Sequence, residues 1–370
     1  MVHKSILRVA SISPPSYALD TFLYGEHASF SKYASSTKKY DVSEITFKVQ
    51  TPLNTRKLRL CASFRYIPRL AFRLIRGKFH IFIVYLFSLE AVVVFIISKL
   101  LRRRIIIKDT HWYWPDTLPA KLFWPIAKFM VKHANLFFCS KIVMQYYRSA
   151  GISPRVKEAP VYTSVINYNR EDVLRAKKLK EKIGHKKLVL YFGRLVRYKG
   201  ASYLIRAFAK LLKEDSDVFL IIAGEGPEKE RLKKMCNDLK LKNIWFTGYV
   251  KPEDKPMLFL ACDIFVHPAT YEKPEKTPEE WGLVVNEAMS VGKPVIVTTA
   301  VGAKEMVKRG VNGFIVPPGD VDALYRAIKV LLENDELRTK MGKMSKEIIK
   351  SYTPEVTMKK YDEAITYLQP

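Results

Sequence analysis

The feature that most constrains the fold is a regular alternation of short apolar runs and helical stretches from residue 187 onward. One helical stretch, SYLIRAFAKLLKE from Ser202, repeats apolar residues at i, i+3 and i+4. This alternation predicts βαβ units, a parallel sheet and a doubly wound α/β domain. Ligands of such sheets bind beyond the carboxyl ends of the strands, so the loops after the strands are where chemistry is expected. The six predicted strands begin at Lys187, Asp217, Asn243, Cys262, Lys293 and Gly313.

The first half of the chain alternates less cleanly. A chain of 370 residues is too long for one ordinary core, so we predict an α/β protein of two Rossmann-like domains. The predicted bounds are 1–167 and 187–352, joined by a linker over 168–186 and followed by a helix over 353–370. Strands of the first domain are predicted over 5–12, 42–48, 79–86, 104–109, 135–139 and 156–161.

The charge of the chain is extreme and uneven. The formal net charge is +27, and residues 1–165 hold 26 Lys and Arg against 8 Asp and Glu. A strongly basic half indicates an anionic partner, whereas charge that only keeps the protein dissolved is the alternative. No aromatic RNA-binding motif, KH loop or zinc knuckle is visible, so we expect no nucleic-acid partner.

An apolar run over 81–100 has the length of a transmembrane helix. It carries Glu90 at its centre and is followed by three arginines, so we predict a buried strand, a helix and then another strand. The N-terminus is too short and too polar for a signal peptide, and we expect a cytoplasmic protein. Four separated cysteines form no metal-binding cluster and are typical of a reducing compartment: Cys61, Cys139, Cys236 and Cys262.

Two cations follow the first strand of the second half, in the run GRLVRYKG over 193–200. Gly193 permits a sharp turn, and Arg194 and Lys199 then lie at the carboxyl end of the strand. Two fixed cations near a helix N-terminus suit a diphosphate. An exposed basic turn is the alternative interpretation.

A polar loop and a helix start make up the segment 269–292. Gly282 allows a ligand to approach closely, and the N–H groups of Leu283 and Val284 are available to phosphate oxygens at the start of the helix. Glu287, farther along this helix, is placed to accept hydrogen bonds from ribose hydroxyls. Taken alone these residues are weak signals, because the chain is rich in charge.

Six motifs occur in a fixed order: GRLVRYKG, IIAGEGPE, FTGYV, FVHPATYE, EEWGLVVNEAMSVGKPVIVT and NGFIVPPGD. In this order they resemble retaining glycosyltransferase family 4, and the resemblance covers about 187–352. It implies the GT-B fold, in which two Rossmann-like domains face each other across a cleft and a C-terminal helix crosses back to the N-terminal domain.

The resemblance also implies roles for individual residues. Arg194 and Lys199 match the cations that contact the donor diphosphate. Glu279 matches the glutamate near the donor sugar and its phosphates, and Glu287 the one at the ribose. The loop at Gly248 would border the base. Gly193, Gly224 and Gly282 fall in the donor-binding loops, although the turn at Gly224 alone is a weak signal.

The first half departs from the family pattern. The loop after its first strand reads Ser13-Pro14-Pro15 where family members usually carry a pair of glycines. His111 in KDTHWYW corresponds to the family histidine near the donor sugar, and a histidine that only caps a strand end is the alternative. The stretch 159–167 replaces the usual Pro-Asn-Gly-Val-Asp.

Asp320 and Asp322 spell a DxD motif, which binds metal in the other large transferase fold. Because Asp320 follows PPG and precedes a periodic apolar stretch, we predict that it is a helix N-cap. The family generally uses cations and helix dipoles in place of Mg²⁺, so we expect neither a metal nor a cofactor.

These observations predict a hexosyltransferase that takes its sugar from a nucleoside-diphosphate sugar, and the family implies retention at the anomeric carbon. A sugar-nucleotide epimerase of the same fold and a non-catalytic partner subunit remain as alternatives. The acceptor is expected to be a glycan or a lipid-linked molecule.

A basic and aromatic segment over 56–78 contains eight Lys and Arg and no acidic residue. Phe64, Leu70, Phe72 and Ile75 are expected on one side of an imperfect amphipathic helix that is broken or bent near Pro68. Such segments lie on anionic membrane surfaces, which predicts peripheral attachment to the cytosolic leaflet. Packing of the apolar side on the domain core is the alternative.

Overall fold

A computed structural model of the chain describes residues 7–12, 40–45, 67–86, 89–109, 118–158, 164–184, 187–215, 217–271, 279 and 281–368. The chain forms two compact units. Unit 1 contains residues up to Tyr162 together with the segment from Pro354 onward, and unit 2 runs from Thr163 to Thr353.

Unit 1 is built on a six-stranded parallel sheet in the order β2-β1-β3-β4-β5-β6. Its central strands are continuous apolar runs such as IFIVY and LFFC, and every residue of these two strands is buried. Strands of this kind are typical of a sheet covered on both faces. The strands are β1 (Leu7–Ile12), β2 (Tyr40–Ile45), β3 (Ile81–Tyr85), β4 (Arg104–Lys108), β5 (Leu136–Cys139) and β6 (Val156–Glu158).

Helices cover both faces of this sheet. Helices α1 (67–76), α2 (Leu89–Leu100), α3 (Leu118–His133) and α4 (Lys141–Ser149) pack on the face formed by residues such as Phe82, Ile105 and Phe137. The opposite face, with Ile81, Ile106 and Phe138, is covered by the last helix, Pro354–Tyr367. The Phe138 and Tyr361 rings lie 4.4 Å apart there. The last helix therefore returns to the sheet of the first domain, as the predicted fold class requires.

Helix α1 corrects the prediction for the segment 56–78. The described helix begins at residue 67, so Pro68 lies in its first turn, where proline is tolerated. Leu70 and Leu74 point into the core, whereas Phe72 and Ile75 are each 55% exposed. The expectation that Leu70 shares a side with Phe72 and Ile75 is wrong, because apolar residues of this helix fall on two opposite sides. Phe64 and the rest of 56–66 lie outside the described residues.

The apolar run over 81–100 folds as predicted. It forms strand β3 and helix α2, and the carboxyl group of Glu90 is buried at the start of that helix. Among the described residues, no helix is both long and apolar enough to cross a membrane. Three of the four cysteines are described, and all three are buried free thiols: Cys139, Cys236 and Cys262.

Unit 2 has a second six-stranded parallel sheet in the order β12-β11-β10-β7-β8-β9. Every predicted strand of this half is present. The strands are β7 (Lys187–Phe192), β8 (Val218–Ala223), β9 (Ile244–Gly248), β10 (Ile264–His267), β11 (Val295–Thr298) and β12 (Gly313–Val316).

The helices of unit 2 connect these strands and continue to the last helix. They are α5 (Arg170–Ile183), α6 (Ala201–Leu211), α7 (Lys229–Asp238), α8 (Lys255–Ala261), α9 (Leu283–Ser290), α10 (Val321–Glu333) and α11 (Asp335–Ile349), and the last helix of unit 1 is then α12 (Pro354–Tyr367). Asp320 caps α10, because its carboxylate accepts a hydrogen bond from the Ala323 N–H at 2.8 Å. Its role in the structure is thus the predicted one.

The segment 168–186, for which we predicted a linker, contains helix α5. Asn169 and Asp172 form a capping box at its start, and Gly184 ends it in the left-handed conformation. Arg175 of this helix pairs with Asp254, and Lys180 pairs with Asp263 at 2.7 Å. The helix is therefore tied to unit 2 by its side chains.

Candidate active site

The sheet of unit 2 has a single point at which the strand order reverses. Strands β7, β8 and β9 follow one another outward on one side, and the chain then returns to place β10 on the other side of β7. Ligands of open α/β sheets bind at this switch point, beyond the carboxyl ends of the two strands. The loop after β7 begins at Gly193, and β10 ends at His267.

The loop after β7 is held rigidly over the switch point. Buried Leu195 donates its N–H to the Glu225 carbonyl at 2.8 Å, and Thr270 N–H donates to the Tyr198 carbonyl at 2.6 Å. The hydroxyl of buried Tyr191 donates to the Arg194 carbonyl at 3.0 Å. Burial raises the pKa of Tyr191 well above its usual value, so the phenol keeps its proton. The loop is thus fixed to both neighbouring loops.

Gly200 at the end of this loop makes the close approach possible. It has φ 74°, and a Cβ there would lie 1.9 Å from the Pro268 carbonyl oxygen, in the loop after β10. The loops after β7 and β10 are in direct backbone contact at this point. Only glycine permits both the left-handed conformation and the contact.

Replacement of Gly200 by alanine is expected to destabilise unit 2 by roughly 3 kcal/mol or more, since the new methyl group meets backbone that cannot move aside. Gly310 is a matched control, with φ 76° and no neighbouring atom within 4 Å of the place that a Cβ would take. Gly310→Ala is expected to cost only about 1–2 kcal/mol, for the left-handed conformation alone. Urea unfolding of both variants measures the difference, and equal shifts would contradict the steric explanation.

Lys199 and Glu279 form the central ion pair of the site. The Lys199 Nζ lies 2.6 Å from the Glu279 Oε2, and the two side chains are only 13% and 15% exposed. Eighty residues of chain separate them, so the sequence predicted both residues but not their pairing. The pair puts a cation and an anion together at the carboxyl end of the sheet. The cation suits a phosphate, and the carboxylate suits the hydroxyl groups of a sugar, which donate hydrogen bonds.

Glu279 is held in place by backbone pairing. Its N–H donates to the Ala300 carbonyl at 2.8 Å, and its carbonyl accepts from the Gly302 N–H at 3.1 Å. Both contacts are to the loop after β11, the strand next to β10. Glu279 is therefore held by two loops of the sheet, through its backbone by the loop after β11 and through its carboxylate by Lys199 in the loop after β7.

Helix α9 begins beside this ion pair. Gly282 precedes it with φ 91°, and a Cβ there would come within 3.3 Å of the His267 ring and 3.1 Å of Val301. Leu283 and Val284 occupy its first turn, where N–H groups have no acceptor within the helix. The structure thus places the predicted glycine and helix start next to the carboxyl end of β10, where a helix N-terminus favours an anion.

Glu287 faces a cation that the sequence analysis missed. The Lys255 Nζ, at the start of α8, lies 2.5 Å from the Glu287 Oε1. Glu287 is buried, and no described residue supplies a hydrogen bond to its second oxygen, Oε2. One oxygen is therefore neutralised by lysine, while the other keeps its capacity to accept hydrogen bonds.

His267 is the second residue that the sequence analysis missed. The side chain is completely buried, and neither ring nitrogen has a hydrogen-bond partner among the described residues. Burial, together with the charge of nearby Lys199 and against the opposing charge of Glu279, lowers the pKa of His267 to about 3, so the ring is neutral at pH 7. A buried polar group of this kind calls for an explanation, such as a bound water, an ion or a functional role. The signal in the sequence was a histidine at the end of an apolar strand, in FVHP.

The glycine loops after β8 and β9 also meet. Gly224 N–H donates to the Gly248 carbonyl at 3.0 Å. A Cβ on Gly224 would lie 2.0 Å from the Gly193 carbonyl oxygen, and one on Gly248 would lie 2.8 Å from Glu225 Oε1. The structure therefore brings three predicted glycines, Gly193, Gly224 and Gly248, into one row along the edge of the sheet.

One described residue of the predicted site, Arg194, lies outside this cluster. The Arg194 side chain is exposed and its guanidinium donates to the Tyr198 hydroxyl at 3.1 Å. Arg194 lies in the same loop as Lys199 but does not take part in the ion pair between Lys199 and Glu279. His111 lies outside the described residues, as does the Ser13-Pro14-Pro15 loop, so their predicted roles stay predictions.

A family model described as "Glycosyl transferases group 1" matches residues 174–348, from within α5 to the end of α11. This part of the chain is therefore similar to the group 1 glycosyltransferases. All the residues of the cluster described above fall inside the match. The resemblance inferred from the six motifs is confirmed at this level.

Curated relatives support the same assignment. Over 245 residues the chain is 31% identical to an uncharacterized glycosyltransferase of Methanocaldococcus jannaschii, covering 66% of this chain and 59% of that protein. Over 161 residues it is 34% identical to a GDP-mannose-dependent α-(1-6)-phosphatidylinositol monomannoside mannosyltransferase of Mycolicibacterium smegmatis, covering 43% of this chain and 42% of that protein. The chain thus spans less than two thirds of the length of these relatives.

A solved structure extends the likeness from residues 174–348 to the whole fold. The Anabaena protein HepE in complex with UDP superposes with a TM-score of 0.74 at 21% identity, covering 98% of this chain and 100% of HepE. The fold is GT-B, which confirms the predicted class of two α/β domains with parallel sheets.

Proposed function

We propose that the chain is a retaining glycosyltransferase that moves a hexose-type sugar from a nucleoside-diphosphate sugar to a glycan or a lipid-linked acceptor. The observation that carries this proposal is the Lys199–Glu279 ion pair beside the start of α9, at the switch point of the sheet. It combines fixed positive charge for a diphosphate with a carboxylate for sugar hydroxyls. The UDP complex of HepE and the GDP-mannose-dependent relative support a nucleoside-diphosphate donor.

In this proposal, several groups of the site stabilise the leaving diphosphate during transfer. As the bond between the sugar C1 and the diphosphate oxygen breaks, negative charge grows on the diphosphate. Lys199 and the N–H groups at the start of α9 stabilise that charge, which is commonly the largest contribution to catalysis. Arg194, exposed on the same loop, supplies a second cation to the outer phosphate oxygens.

We favour attack by the acceptor hydroxyl on the same face of the sugar. A new bond forms between C1 and the acceptor oxygen, and the acceptor proton passes to the leaving phosphate. Glu279 is engaged by Lys199 and by the loop after β11, which suits it to holding the sugar rather than to forming a covalent intermediate. His267, neutral and buried beside Lys199 and Glu279, is placed to hydrogen-bond the donor without adding charge.

The cations and the helix start supply the charge that Mg²⁺ supplies in other transferases, so we propose that the reaction needs no metal. Among the described residues no cluster of His, Cys, Asp and Glu is suited to a metal ion. In this proposal the acceptor lies at the cytosolic face of a membrane. The phosphatidylinositol-derived substrate in the name of the mycobacterial relative supports a lipid-linked acceptor.

The proposal is tested by screening UDP-, GDP- and ADP-sugars for thermal stabilisation, since a ligand that binds the folded state raises its stability by mass action. The donor that binds is then supplied with glycan or glycolipid acceptors, and release of nucleoside diphosphate is measured with and without EDTA. We expect transfer that EDTA leaves unchanged, a product with the donor's anomeric configuration, and loss of transfer in Glu279→Gln. Conversion of the donor without any acceptor would indicate an epimerase, and binding without any reaction would indicate a partner subunit.

A further inference from the structure

Helix α3 of unit 1 carries an exposed apolar stripe. Leu118, Leu122, Ile126 and Phe129 follow one another at intervals of four, four and three residues, so they share one side of the helix. Leu118 and Leu122 are 70% and 69% exposed, and Ile126 and Phe129 are 45% and 56% exposed. The opposite side of the helix is buried in the core through Ala127, Met130, Val131 and Ala134. The helix is therefore apolar on both sides.

Helix α2 extends this stripe. The Phe95 and Phe129 rings lie 6.1 Å apart, and the Lys99 Nζ donates to the His133 carbonyl at 2.6 Å, so the ends of the two helices lie side by side. Exposed apolar side chains at the end of α2 continue the surface. We define the α2–α3 face by its exposed apolar residues: Ile96, Leu100, Leu101, Leu118, Leu122, Ile126 and Phe129.

The charge around the α2–α3 face is of one sign. Of the described residues between 67 and 158, 16 are Lys or Arg, and three are acidic: Glu90, Asp109 and Glu158. Glu90 and Asp109 are buried, and Glu158 ends strand β6. Exposed Arg102, Arg103 and Lys132 stand at the ends of the two helices that carry the apolar stripe. Among the described residues, the α2–α3 face is thus apolar and bordered by exposed cationic side chains.

The combination of apolar and cationic side chains favours one class of partner for the α2–α3 face over the others. A second copy of the chain would bring two cationic surfaces together, which is unfavourable. Nucleic acid would satisfy the charge but leaves no place for aliphatic side chains. An anionic bilayer satisfies both, because apolar side chains enter the boundary of the acyl chains while lysine and arginine meet the headgroups.

We propose that the α2–α3 face docks on an anionic lipid bilayer. The proposal rests on one part of the proposed function, the location of the acceptor at a membrane. It does not depend on the donor or on the transfer reaction. It assigns the contact to α2 and α3 rather than chiefly to the segment 56–78. In α1, the described helix of that segment, Leu70 and Leu74 are used for the core.

The test is flotation of the full chain with vesicles of phosphatidylcholine alone and of equal parts phosphatidylcholine and phosphatidylglycerol, without any sugar donor. We expect binding to the anionic vesicles only. The double variant Leu118→Ser with Leu122→Ser is expected to bind them at least roughly tenfold more weakly, since each leucine loses its apolar contact. Arg103→Gln with Lys132→Gln is expected to weaken binding by about fivefold per residue and to lessen its salt dependence.

Val330→Ser is the matched control, because Val330 is exposed to the same extent as Ile126 but lies on α10 of unit 2. It should bind vesicles like the unchanged chain. The proposal is overturned if the unchanged chain does not bind anionic vesicles. It is also overturned if the leucine double variant binds these vesicles as well as Val330→Ser does. It is also overturned if only Arg73→Gln with Arg76→Gln in α1 abolishes binding, or if the leucine variant converts a dimer into a monomer. Because no donor is present, none of these outcomes depends on glycosyl transfer.

Discussion

Replacing Lys199 by alanine is expected to reduce glycosyl transfer by roughly 10²–10³-fold, the loss seen when one fixed group that stabilises developing charge is removed. The Lys199 side chain is 13% exposed and its Nζ lies 2.6 Å from the Glu279 Oε2, so its charge is held at a fixed position. The change removes positive charge from the leaving diphosphate and also leaves the Glu279 carboxylate without its lysine. We expect the larger effect on kcat, because the charge on the diphosphate grows only in the transition state.

Lys210→Ala is the matched control for this prediction. Lys210 pairs with Asp322 on the surface of unit 2, where both side chains are about half exposed. An exposed pair contributes little to stability, so this variant should retain both its fold and its rate of transfer. Near-normal kcat in Lys199→Ala, measured by release of nucleoside diphosphate, would contradict the role given to the ion pair. Thermal unfolding of each variant separates loss of catalysis from loss of fold.

Replacing Lys255 by methionine is expected to weaken binding of the donor nucleotide by roughly tenfold or more, because hydrogen bonds to charged groups contribute about 1.5–3 kcal/mol each. Lys255 holds one oxygen of Glu287, and the other oxygen is the one left to accept from a ribose. Without the lysine, the buried carboxylate loses both its compensating charge and its fixed orientation. Isothermal titration with the nucleoside diphosphate found in the donor screen measures the effect.

The distinguishing measurement compares ribonucleotide with 2′,3′-dideoxynucleotide. The unchanged chain should prefer the ribonucleotide, and Lys255→Met and Glu287→Gln should both lose that preference. Lys180→Met is the matched control, because Lys180 forms a similar ion pair with Asp263 at the opposite end of β10. If Lys180→Met weakens nucleotide binding as much as Lys255→Met does, the effect is a general loss of stability and not a contact with ribose.

The sequence predicted the sheet of unit 2 well because its strands are buried on both faces. Runs such as VFLIIA and VIVT, separated by amphipathic helices, leave little choice of element or order. The same periodicity could not assign α1, where Leu70 and Leu74 are buried while Phe72 and Ile75 are exposed. A helix that is apolar on two sides gives no single direction toward the core.

The candidate site was predicted in its residues but not in its pairs. Ordered motifs identified Lys199, Glu279 and Glu287, yet Lys255 belongs to no motif and reaches Glu287 only because α8 and α9 meet in space. His267 was overlooked because a histidine before proline reads as an ordinary strand end. Its importance depends on complete burial without a partner among the described residues, which is a property of packing and not of spacing.

The return of α12 to unit 1 has a consequence for synthesis on the ribosome. Unit 2 is one continuous stretch from Thr163 to Thr353 and is complete before the last helix has been made. Unit 1 is not, because α12 is the element that covers Ile81 and Phe138 among the described residues, through Met358, Tyr361 and Ile365. Domains usually fold from the N-terminus during translation. In this chain unit 2 is able to fold before unit 1 is complete. Until α12 has been made, apolar residues of unit 1 that it covers are exposed, and this is the stage at which we expect chaperone binding to matter most.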